Sequence, residues 1–66
     1  MLVQVTTDGL VLLYGDNQSV IGYFSVERVK TRRGVIRLIR ELVKEDGITV
    51  GHISEVLDVA HSLAGK

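Results

Sequence analysis

Two runs rich in β-branched and aliphatic residues, "LVQVTT" and "LVLLY", flank Asp8-Gly9 near the start of the chain. Asp-Gly between such runs is a strong hairpin signal, because a two-residue type I′ turn needs positive φ at both central positions. With those two residues as the loop, Thr7 pairs with Leu10, Val5 with Leu12 and Val3 with Tyr14 on one face of the sheet. Gln4 then lies opposite Leu13 and Thr6 opposite Val11 on the other face. A second turn cluster, "GDNQS", leads into "VIGYFSVERV", which reads as a third strand. Its two faces compete for the core. Val20, Phe24 and Val26 are assigned inward, because the alternative face carries Glu27, whose burial would be costly. That assignment leaves Val11, Leu13, Ile21 and Tyr23 together on the outer face.

From residue 32 onward the apolar period lengthens to that of a helix. At 100° per residue, Val35, Ile36, Leu38, Ile39, Leu42 and Val43 fall within roughly half of the circumference, the stripe of a core-facing helix. Gly47 is expected to supply the stop. Thr49 is a candidate N-cap for a second helix whose apolar side is Val50, Ile53, Val56, Leu57, Ala60 and Leu63. The expected architecture is a two-layer α+β fold, a three-stranded antiparallel β-meander followed by a helical hairpin, in the order β-β-β-α-α.

Length makes this a demanding fold. A chain of 66 residues forms a single small domain, 1–66, with a thin core, and ordering it costs roughly 100 kcal/mol of conformational entropy. Small domains commonly offset that with disulfides, a metal or a second subunit, and cysteine is absent here. The hydrophobic content of 45% argues for a folded chain. No apolar run is long enough to span a bilayer, and the N-terminus lacks the pattern of a signal peptide. A cytoplasmic location with no membrane partner is the expectation.

The formal charge is zero, but the cations are not evenly spread. Between Arg28 and Lys44 stand seven cations and one acid, Glu41. On the first helix Arg33, Arg37, Arg40 and Lys44 follow spacings of four, three and four, which stacks them in one row opposite the apolar stripe. With Arg32 at the helix start they form the candidate nucleic-acid contacts, since such a row is able to follow a phosphate backbone. An acidic protein surface is the other class of partner for the same row. Against both stands the plain alternative: an amphipathic helix needs a solvated face, and Arg37 with Glu41 has the i,i+4 spacing of an ordinary helix ion pair.

The stretch "VIRLIRELVKEDGITVGHISEVLDVA", residues 35–60, resembles the first two helices of winged helix-turn-helix DNA-binding domains. The resemblance implies that Thr49 starts the second helix, that Ile53 and Leu57 anchor it, and that "DVA" is the turn before a recognition helix. Only "HSLAGK" follows, with no wing, so base-reading residues of that family have no counterpart here. Any DNA contact would then be mainly to phosphate, which positions without specifying sequence. The second helix continuing to Ala64 is the other reading of the same residues.

Candidate chemistry is sparse. His52, Glu55, Asp58 and His61 are metal-ligand types, but His52 and His61 leave opposite sides of a helix, and an i,i+3 pair alone does not hold zinc. Ser54 and His61 share a face yet lie roughly 10 Å apart along the axis, beyond the reach of a nucleophile and its base. No phosphate-binding glycine motif or nucleophile elbow is present. The expectation is a non-enzymatic domain without cofactor or metal, its histidines on the surface. An apolar outer sheet face of Val11, Leu13, Ile21 and Tyr23 marks an interface, and a homodimer joined through it is the simplest occupant.

Overall fold

The computed structural model describes residues 2–64. Strands β1 (Val3–Val5), β2 (Leu10–Tyr14) and β3 (Val20–Ser25) form an antiparallel sheet in the order β1-β2-β3. A 3-10 turn (Val26–Val29) links it to helices α1 (Arg32–Leu42) and α2 (Val50–Ala64). The architecture is the expected α+β arrangement of a meander followed by two helices. No described helix is long and apolar enough to cross a membrane.

The register is not the expected one. Val3 pairs with Leu13, Gln4 with Leu12 and Val5 with Val11, one residue away from the two-residue-turn alignment. The loop is Thr7-Asp8-Gly9, a three-residue connection whose last member adopts φ +89°, the left-handed position that favours glycine. Thr6 selects this longer loop. Its hydroxyl donates to Asp8 Oδ1 and accepts the Leu10 N–H at 3.0 Å, while its own N–H donates to the Leu10 carbonyl at 2.8 Å. Because side chains alternate along a strand, the one-residue slip turns every β2 residue to the opposite face.

Val11 and Leu13 are therefore in the core, at 0% and 2% exposure, not on the outer face. They pack with Val3 and Phe24 from the sheet, Val29 from the 3-10 turn, and Leu38, Leu42, Val56 and Ala60 from the helices. A bulge between Leu13 and Tyr14 shifts the pairing so that Tyr14 lies opposite Val20, and Val20 is exposed rather than inward. The outer face is carried by Leu12, paired with Tyr23, and by Tyr14, whose hydroxyl donates to Gln4 Oε1 at 2.8 Å.

β3 is shorter than the apolar run that predicted it. Ser25 Oγ accepts the Glu27 N–H at 3.2 Å and caps the 3-10 turn, which redirects Val26 and Val29 toward the helices. Thr31 then caps α1 by accepting the Gly34 N–H at 3.0 Å. Gly34 must lack a side chain, since a Cβ there would collide with the Arg28 carbonyl oxygen. The helix ends at Leu42, and Gly47, at φ +88°, turns the chain later in the loop rather than at the helix terminus.

α2 meets the sheet through His52. Thr49 Oγ1 accepts the His52 N–H at 3.4 Å, and Thr49 N–H donates to His52 Nδ1 at 3.0 Å, a reciprocal cap in which histidine takes the place usually held by glutamate. The other ring nitrogen, Nε2, lies 2.6 Å from the Tyr14 carbonyl. A backbone N–H only donates and a carbonyl only accepts, so the bonds assign the proton to Nε2. His52 is 2% exposed, not the surface histidine expected. Val50, expected on the apolar side of this helix, is 85% exposed.

Candidate nucleic-acid interface

Thr31 and Gly34 set where α1 starts, and the buried Leu38 and Leu42 set which way it faces. Those two choices fix the cations. Arg32, Arg33, Arg37, Arg40 and Lys44 are all exposed. Four of them, Arg32, Arg33, Arg37 and Arg40, line one shallow depression together with Ile36. Ile36 was expected in the apolar stripe, but it lies among the arginines and is exposed. Lys44 lies beyond the end of α1, outside the depression, so the structure groups four of the five predicted contacts closely.

Charge pairing divides the basic segment in two. Arg28 pairs with Glu41, and Lys30 with Glu27 at 3.0 Å. Glu41 thus reaches across to the 3-10 turn instead of pairing with Arg37 along the helix. Its hydrogen bond from Arg28 holds the carboxylate below the ordinary glutamate range, reinforced by the fields of Arg28, Arg37 and Lys44 and opposed by partial desolvation. Among the described residues no carboxylate lies in ion-pairing distance of Arg32, Arg33, Arg37, Arg40 or Lys44.

The helix start adds a second electrostatic feature. The first turn of α1 holds no acid and begins with Arg32 and Arg33. A helix N-terminus carries partial positive charge and normally attracts acidic side chains. Two guanidinium groups there oppose the field of the helix itself.

The residues expected at the apolar interface are not brought together. Val11 and Leu13 are buried beneath the helices, whereas Ile21 and Tyr23 are exposed. Tyr23 is on the outer face at 71% exposure, while Ile21, at the bulge, approaches Gly15 and Gly47. Sequence reasoning misses three structural roles: the burial of His52, the Arg28–Glu41 pair and the loop-setting hydroxyl of Thr6. Only the Thr49-x-x-His52 spacing carried a signal, since it is that of a capping box with an unusual fourth residue.

Among the described residues no group of three or more metal-ligating side chains converges. His61 and Ser54 are both exposed. Asp58, Val59 and Ala60, which the winged helix-turn-helix resemblance makes a turn, lie inside the unbroken α2. No family model, curated protein or solved structure matches this chain.

Proposed function

We propose that this is a non-enzymatic binding domain that engages the phosphate backbone of nucleic acid, DNA in the first instance, through the exposed face of α1. The observation that carries the reading is the absence, among the described residues, of carboxylate partners for Arg32, Arg33, Arg37, Arg40 and Lys44. The one acid of α1 is engaged elsewhere, by Arg28. The arginines at the N-terminal turn support it further: they work against helix stability, and a local rule broken without structural benefit is characteristic of a functional surface. Contacts to phosphate give affinity without sequence preference.

Titration of a fluorescent mixed-sequence duplex and a single strand tests this. Five phosphate contacts predict a log–log salt slope of about −4.5 on duplex DNA and a loss of roughly 500-fold in affinity between 50 and 200 mM salt. Arg37→Ala combined with Arg40→Ala is expected to reduce the slope by about 2. Absence of binding to both probes at the lower salt would reject the reading.

A second reading is an assembly module in which two copies join through the outer face of the sheet. The observation favouring it is the exposure of Val20 and Tyr23 beside Leu12 and Tyr14. Sedimentation at increasing protein concentration distinguishes the two, because apolar association is insensitive to moderate salt whereas phosphate binding is not. An acidic protein surface in place of nucleic acid would share the salt response but fail with both oligonucleotides.

A further inference from the structure

The sheet has two edges, and they are treated differently. In the β1–β2 ladder the even-numbered residues face the partner strand, as the bonds Thr6 N–H to Leu10 O at 2.8 Å and Tyr14 N–H to Leu2 O at 2.8 Å establish. Val3 therefore points its N–H outward, and Glu55 of α2 accepts it at 3.3 Å. Across the sheet, Val11 and Leu13 of β2 bond to Phe24 and Gly22 by the same alternation. Tyr23 then presents its N–H and carbonyl to the open side of β3, and among the described residues no turn, loop or cap bonds to either. Edge strands are normally protected by charge, proline or a covering element. The β3 sequence, VIGYFS, has neither charge nor proline.

Beside this edge runs a groove of about 250 Å³ between β3 and the C-terminal half of α1. Ile21, Gly22, Tyr23 and Phe24 all line it, and successive residues of a strand do so only where its edge borders the cavity. Leu13, Leu38, Leu42 and Ile48 supply apolar walls. The rim is acidic: Glu41, Glu45 and Asp46 stand against the single guanidinium of Arg28. Arg28 is committed to Glu41, and no cation among the described residues pairs with Glu45 or Asp46.

We infer that the β3 edge and this groove form a docking site for an extended peptide, added to the sheet as a fourth strand, with one apolar side chain in the groove and a flanking lysine or arginine at Glu45 and Asp46. Backbone bonds to Tyr23 supply the ladder, the apolar side chain supplies burial, and the rim selects charge. A foreign segment fits better than a second copy. The β3 edge of another copy has no cation to offer the rim, and the chain's own dense basic segment is helical.

The probes are amidated heptapeptides with an apolar central residue between threonines and with lysine, glutamine or glutamate flanks, read by anisotropy and by the Tyr23 amide resonance. Lysine-flanked peptides are expected to bind best and glutamate-flanked ones least, with exchange of the Tyr23 amide slowed by the bound peptide. N-methylation of the peptide residues that face the edge should abolish binding while the protein is unchanged. Glu45→Gln with Asp46→Gln, both at exposed loop positions, should weaken the lysine-flanked peptides about tenfold, to the level of the glutamine-flanked ones. Failure of every lysine-flanked peptide to bind at millimolar concentration overturns the site, as does an unaltered affinity in the double variant. Slowing of the Tyr23 amide with protein concentration alone assigns the edge to a second copy and also overturns it.

Discussion

His52 shows how much a single side chain carries in so small a core. Its ring joins the start of α2 to the end of β2, accepting from Thr49 and donating to the Tyr14 carbonyl. His52→Ala strands both backbone groups and opens a cavity, so chemical denaturation should register a loss of about 2–4 kcal/mol. His52→Gln, which retains an acceptor and a donor, should lose less. Gln18 offers the opposite case. It occupies φ +65° in the turn between β2 and β3, where Gly15 N–H meets the Ser19 carbonyl at 2.9 Å. That is the position glycine holds in the first hairpin. Gln18→Gly is expected to stabilise the fold by about 0.5–1 kcal/mol, relief of left-handed strain exceeding the entropy that glycine adds to the unfolded chain. The Thr49-x-x-His52 spacing signals the cap alone; nothing in the sequence points to the bond from the ring to the Tyr14 carbonyl, and a glutamine in a polar turn gives no hint of its φ.

Elements were easier to read than their alignment. The change from a strand-like to a helical period locates α1 and α2, because periodicity is local and each helix presents one apolar stripe. The basic row was legible for the same reason: once residues 32–42 are helical, spacing alone gathers Arg33, Arg37 and Arg40 on one side. The register of β1 with β2 escaped that logic. All five residues of β2 are apolar, so no pattern of polarity selects its inward face, and the choice passes to turn geometry. There the side-chain bonds of Thr6 and Asp8 outweigh the preference of Asp-Gly for a tighter turn. The groove beside β3 was equally hidden, since strand, helix and loop meet there only in three dimensions. At the scale of α1, its first turn yields a prediction with two signs. Arg32→Glu with Arg33→Glu aligns side-chain charge with the helix field and should raise thermal stability by about 1 kcal/mol. The same variant should lose oligonucleotide binding, and a variant that becomes less stable would argue that the arginines serve the fold.

Across the whole molecule, charge is segregated rather than balanced. The Arg28–Glu41 pair ties the 3-10 turn to α1 and engages the one acid of the basic segment, so that among the described residues no carboxylate is paired with the row. Because the folded state lowers the titration of Glu41, its contribution is present above the ordinary carboxylate range and disappears as pH falls through the depressed value. Thermal midpoints of wild type and Arg28→Met should therefore differ at neutral pH and converge in strong acid; a gap of constant size would dissociate the pair from stability. With principal extents of 32 × 25 × 15 Å, the protein is thin, one helical layer over one sheet, so the strand face turned away from the helices is necessarily its exterior. The length of the first hairpin loop decides which face that is. Loop tips usually accept insertions and deletions freely, but here a deletion of one residue would let Leu10, Leu12 and Tyr14 compete for the seat beneath the helices. The tip between β1 and β2, although exposed, is the place where this chain distinguishes its inside from its outside.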